Sequence, residues 1–78
     1  MLAMKPNCMC CDRDISHGDP AFICSFECTF CPDCTNGRLG GVCPNCNGNL
    51  TPRPTRADTY KAKYPPMTVR APTSAACR

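Results

Sequence analysis

The sequence predicts a small metal-stabilised domain dominated by irregular loops, with one short β-hairpin, one short helix and a separate basic tail. Three observations carry that prediction. The chain has 78 residues with 10 cysteines, but only three Phe, two Tyr and no Trp. A domain of this size buries little surface on folding and commonly needs a metal or disulfide staple. The cysteines fall into close pairs, and all but Cys77 precede Leu50.

Composition divides the chain at that point. Residues 1–50 carry Lys5, Arg13 and Arg38 against Asp12, Asp14, Asp19, Glu27 and Asp33, a formal charge of −2. Residues 51–78 carry six Lys or Arg against Asp58 alone, a charge of +5, together with Pro52, Pro54, Pro65, Pro66 and Pro72. A proline-rich basic segment poor in large apolar groups cannot offset its ordering entropy by burial, so residues 51–78 are expected to be mostly disordered. Tyr60-Lys61-Ala62-Lys63-Tyr64 is the one stretch there with material for local docking, against a reading as solvated linker.

Within residues 1–50 no helical or strand period is sustained. Ala21-Phe22-Ile23-Cys24 is the best strand, paired with Cys28-Thr29-Phe30-Cys31, because aromatic and β-branched side chains suit a pleated, half-buried surface. The helix should begin at Pro32, whose fixed φ suits a first turn, and stop at Gly40-Gly41.

Compartment decides between disulfides and metal. Met1-Leu2-Ala3-Met4-Lys5-Pro6 resembles no export signal, and no run of about 18 apolar residues suggests a membrane span. A reducing cytoplasm is the expected setting, where thiols bind metal or do redox chemistry. A disulfide framework is the competing reading.

The pairs are Cys8 with Cys11, Cys24 with Cys28, Cys31 with Cys34, and Cys43 with Cys46. A turn with two intervening residues aims both sulfurs at one ion about 2.3 Å away, and its backbone N–H groups can donate to the thiolates. Two pairs complete one tetrahedron, so four pairs complete two. Soft thiolates select Zn²⁺ over Mg²⁺ or Ca²⁺. The expected cofactors are therefore two Zn²⁺ ions on Cys8, Cys11, Cys24, Cys28, Cys31, Cys34, Cys43 and Cys46. Pro32 and Pro44 stiffen two of the turns, and Asn47-Gly48 supplies residues that tolerate positive φ. Eight thiolates and two Zn²⁺ would take residues 1–50 to −6 and the chain to −1.

The full spacing, Cys8-x2-Cys11-x12-Cys24-x3-Cys28-x2-Cys31-x2-Cys34-x8-Cys43-x2-Cys46, resembles the eight-ligand pattern of RING fingers in an all-cysteine form. Cys28-Thr29-Phe30-Cys31-Pro32-Asp33-Cys34 and Cys43-Pro44-Asn45-Cys46 carry the likeness, with Cys28 where a histidine is usual. The resemblance implies a RING-like or treble-clef cross-brace. Cys8, Cys11, Cys31 and Cys34 would hold one zinc, and Cys24, Cys28, Cys43 and Cys46 the other. It also implies an apolar filling of Phe22, Ile23, Phe26, Phe30, Leu39 and Val42.

The runs Phe22-Ile23-Cys24-Ser25-Phe26-Glu27-Cys28-Thr29-Phe30-Cys31 and Leu39-Gly40-Gly41-Val42-Cys43-Pro44-Asn45-Cys46 are similar to a family of short bacterial proteins, domain-of-unknown-function family 1272. That likeness implies a bacterial cytoplasmic protein and names no activity.

These features point to a zinc-binding interaction module, a protein–protein adaptor acting as monomer or homodimer, and not to an enzyme. A zinc saturated by four thiolates has no open position for water, and no nucleophile is paired with a base. The alternative is a nucleic-acid-binding zinc protein using the basic tail, which would gain affinity by counterion release. Cys28-x2-Cys31-x2-Cys34 followed by Cys43-Pro44 also imitates a ferredoxin ligand run, but leaves the paired Cys8, Cys11, Cys24 and Cys46 unused. A ubiquitin-ligase-like role fits poorly, because Cys10 takes the apolar position before the second ligand and Asn47 follows the last one. Cys10 and Cys77 fall outside the pattern, as free thiols, as bystanders or, for Cys10, as a substitute for Cys8 or Cys11. His17 lies in Ser16-His17-Gly18-Asp19-Pro20, which reads as a solvated turn.

Overall fold

The computed structural model describes residues 2–77. Its only sheet among these residues is antiparallel and three-stranded, in the order β2-β1-β3, from β1 (Phe22–Ile23), β2 (Thr29–Phe30) and β3 (Thr51–Pro52). Phe22 pairs with Phe30 and with Pro52, and Ile23 with Thr29 and Thr51. The β1–β2 pairing is the expected hairpin. Its strands are only two residues long because the turn from Cys24 to Cys28 starts at once: Cys24 N–H donates to Cys28 O at 3.2 Å and Glu27 N–H to Cys24 O at 3.0 Å, with Glu27 at φ 65°. Pro52 has no N–H to give and sits in an edge strand, where the loss is tolerated.

The helix α1 spans Pro32–Asn36. Pro32 opens it as expected, the Cys31 sulfur accepts from Cys34 N–H, and Asp33 faces the positive end of the dipole. It stops four residues before Gly40. Gly37 caps it, donating its N–H to Asp33 O at 3.0 Å, since glycine gives up most backbone freedom in a helix interior. Gly40 (φ 59°) and Gly41 (φ 80°) instead form the following turn, which Gly41 N–H ties to Thr35 O at 2.8 Å.

The core departs from the filling implied by the RING resemblance. Phe30 is fully buried, with Phe22 and Leu39 packed against the core around it. Phe26 is 75% exposed and Val42 44% exposed: Phe26 stands at the β1–β2 turn with its N–H on the Cys24 sulfur, and Val42 pairs with Asn49 in an isolated bridge. Met4, Met9, Ile15 and Leu50 occupy the interior in their place.

Residues 51–77, expected to trail as a mostly disordered tail, lie against residues 1–50 in the structure. The division after Leu50 cuts through the sheet, because β3 belongs to the segment beyond it. Arg53 is buried, its N–H on Ala21 O at 2.8 Å and its guanidinium on the carbonyls of Lys5 (2.9 Å) and Ser16 (3.3 Å). A short helix α2 (Asp58–Lys61) stacks Tyr60 on Tyr64 with ring centroids 6.3 Å apart. The chain then returns to the N-terminal loop, through an Arg70 bridge to Asp12 and Asp14 and a disulfide between Cys10 and Cys77. Composition missed this because the segment is held by main-chain hydrogen bonds, guanidinium contacts and one covalent bond rather than by apolar burial. The radius of gyration, 11.9 Å, matches the roughly 11.5 Å of a compact chain of this length.

Candidate metal centres

Two cysteine clusters form, one where β2 runs into α1 and one at the β1–β2 turn. In the first, the sulfurs of Cys8, Cys11, Cys31 and Cys34 all lie within 4.8 Å of one another. Cys8 and Cys11 come from a tight N-terminal loop, closed by Cys8 N–H on Arg13 O (2.8 Å) and Asp12 N–H on Cys8 O (3.0 Å), with Asp12 at φ 64°. Cys31 and Cys34 come from the start of α1. The Cys11 and Cys31 sulfurs are 3.7 Å apart, against the ~3.8 Å edge of a tetrahedron with 2.3 Å zinc–sulfur arms.

In the second cluster the sulfurs of Cys24, Cys28 and Cys43 meet the same 4.8 Å limit. Cys24 and Cys28 flank the β1–β2 turn. Cys43 enters from a loop closed by Asn47 N–H on Cys43 O and Cys43 N–H on Gly48 O, both 2.8 Å, with Asn47 at φ 64°. Cys46, the expected fourth member, lies beside Cys24 and Cys43 without meeting the limit for all three.

Backbone donors point at the sulfurs in a repeated way. The N–H two residues on donates to Sγ at Cys8 (from Cys10, 3.4 Å), Cys24 (from Phe26, 3.3 Å) and Cys46 (from Gly48, 3.4 Å), and Cys34 N–H donates to Cys31 at 3.5 Å. Asn45 Nδ2 donates to Cys28 at 3.4 Å. Such donors spread thiolate charge and are what a metal–thiolate site requires of its surroundings.

The thiols divide their charge unevenly. Burial raises the Cys8 pKa, but N–H groups of Cys31, Cys11 and Cys10 outweigh it and bring it down to about 7. Cys24 is likewise lowered to about 7, where N–H donation from Phe26 and Cys28 outweighs burial. Burial pushes Cys43 up to about 12 and raises Cys31 and Cys34, and the charge on Cys8 raises the latter two further. Opposite shifts among crowded sulfurs are the pattern of like charges competing for one small volume, which a divalent cation would relieve. Arg13 adds a cation beside the first cluster: its 3.2 Å pair with Asp33 and the nearby Cys31 and Cys11 raise its pKa. The donor set, sulfur spacing and N–H donors thus fit a thiolate-bound metal at the first cluster, and three placed ligands with a fourth adjacent fit one at the second.

The two clusters interleave along the chain, the first drawing on the first and third pairs and the second on the second and fourth. Cys10 joins neither, being bonded to Cys77, so it does not compete with Cys8 or Cys11. His17 also joins neither and sits in a turn in which Ser16 and Asp19 exchange hydrogen bonds. Asn45 and Arg13 are contributors that cysteine spacing gave no means of finding.

No solved structure matches the chain. It is 54% identical over 72 residues to an uncharacterised protein of Rhizobium meliloti (strain 1021), covering 90% of this chain and 84% of that one. The family model described as a protein of unknown function, DUF1272, matches residues 1–56, a stretch that holds both clusters and the whole sheet. With that match and that relative, the chain belongs to the DUF1272 family.

Proposed function

We propose that this protein is a two-zinc, protein-binding adaptor of the bacterial cytoplasm, cross-braced like a RING finger, and not an enzyme. The interleaving of the clusters is the observation that carries the reading, because consecutive pairs would have produced two independent fingers. Zinc on Cys8, Cys11, Cys31 and Cys34 would tie the N-terminal loop to α1. A second zinc on Cys24, Cys28, Cys43 and the adjacent Cys46 would tie the hairpin to the last turn. Sites closed by four thiolates supply folding energy and no open coordination position, which supports an adaptor over a hydrolase.

The nucleic-acid reading has less support. Phosphate binding needs free cations, yet Arg53, Arg56 and Arg70 all turn their guanidinium groups onto carbonyls or carboxylates of the chain itself.

Elemental mass spectrometry on protein purified without added metal, with an absorbance spectrum of the same sample, tests the proposal. Two zinc atoms per chain and no visible absorbance are expected. Iron with a broad visible band would replace the adaptor with an electron-transfer or sensing protein. Binding to nucleic acid that weakens steeply with rising salt would favour the nucleic-acid alternative.

A further inference from the structure

Residues 67–77 lie across the N-terminal part of the molecule in the way a bound peptide lies on its receptor. Met67 N–H donates to Ala3 O at 3.0 Å and Ser74 N–H to Met9 O at 2.7 Å. Between them, Asn7 holds the main chain of Ala71 with both ends of its carboxamide, Oδ1 accepting Ala71 N–H at 2.8 Å and Nδ2 donating to Ala71 O at 3.0 Å. Asn7 is completely buried, so its amide is a fixed reader of the N–H and C=O of one residue.

Side chains add selectivity at three places. The Arg70 guanidinium reaches the Asp12 carbonyl at 2.6 Å and the carboxylates of Asp12 and Asp14. Ala71 is buried, which limits that position to a small residue. The Ser74 hydroxyl lies 2.6 Å from Asn45 Oδ1. Asn7, Met9, Asp12, Asp14 and Asn45 all fall inside the stretch matched by the family model, whereas the docked segment lies beyond it.

We propose that this surface is a receptor for an extended segment of a partner protein, with the chemistry cation, small residue, two spacers, hydroxyl. Residues 70–74 fill it in cis. The proposal rests on the adaptor reading above and names its partner class. Main-chain pairing supplies affinity, while the acidic pair and Asn45 select the sequence. A tethered occupant competes at high effective concentration, and the Cys10–Cys77 bond keeps it in place. Exchange with a dithiol reductant opens that bond: two electrons and two protons pass to the sulfurs, leaving Cys10 and Cys77 as thiols and the reductant as its own disulfide. The receptor then becomes available.

The test uses the full chain carrying Arg70→Glu, Ser74→Ala and Cys77→Ser, which weakens the cis occupant and leaves the receptor residues unchanged. Titration with a synthetic peptide of residues 67–76 should give saturable NMR shifts at the Asn7, Met9 and Asn45 amides. The same peptide carrying Arg70→Glu should bind about fivefold or more weakly. Oxidised native protein should show no shift. Native protein reduced with a phosphine should show shifts at higher peptide concentration, a reading that needs no folded variant. Absence of saturable shifts in both the variant and the reduced chain would overturn the proposal, as would equal binding of the two peptides. A concentration-dependent dimer in ultracentrifugation would overturn it too, by making a second copy's tail the occupant. Metal content measured on the same samples separates the readings: two zincs without peptide binding sink this proposal alone, and peptide binding without zinc sinks the zinc assignment alone.

Discussion

Cys11 and Cys31 are separated by 20 residues of sequence, yet their sulfurs stand 3.7 Å apart, one tetrahedral edge. Four sulfurs gathered at that separation would fit one thiolate-bound cation. Structural zinc in small peptides contributes on the order of 10 kcal/mol at neutral pH, more than this core supplies. Strong chelation is therefore expected to collapse the amide dispersion of the NMR spectrum. A spectrum that stayed dispersed after complete metal removal would refute the metal-dependent fold.

Acid should have the same effect by another route. Cys8 and Cys24 have folded-state pKa values lowered from 9.0 to about 7. Their contribution to metal-free stability is present above pH 9 and is lost as the pH falls through about 7. Cys43, raised to about 12, has the opposite sign, contributing below pH 9 and losing its contribution as the pH rises through 12. Metal on these sulfurs would compete with the protons and move the acid loss below pH 7. Acid titration of the loaded chain with a metal-sensitive dye should show more than one proton taken up per metal released.

Phe30 and Phe26 give a paired test of the core. Phe30→Ala removes a fully buried ring and should cost about 3–5 kcal/mol in a urea titration of the metal-loaded chain. Phe26→Ala, at a 75% exposed position, should stay within about 0.5 kcal/mol. Equal losses at both positions would mean that the Cys24–Cys28 turn packs inward after all.

Arg53→Lys tests whether the segment after Leu50 is part of the folded unit. The Arg53 guanidinium donates to two carbonyls, of Lys5 and Ser16, that one ammonium cannot reach in the same geometry. A loss of about 1–3 kcal/mol in the same titration is expected. No loss would return residues 51 onward to the status of a detached tail.

The sequence alone determined that the cysteines pair by spacing, that the aromatic and β-branched run Phe22-Ile23 pairs with Thr29-Phe30, and that a helix starts at Pro32. Those features are local, fixed by turn chemistry and by a proline with one allowed φ. Only the tertiary structure decided which apolar side chains are inside, because whether Phe26 or Met9 is buried depends on the side of a turn facing the rest of the chain. It also decided that Arg53, Ala71 and Cys77 belong to the folded unit. Contacts such as Asn7 with Ala71 join residues 64 apart through main-chain atoms, and main-chain atoms leave no mark in composition. The sequence carried the donor chemistry of the two cysteine clusters, and the path of the chain around them decided which main-chain groups meet across it.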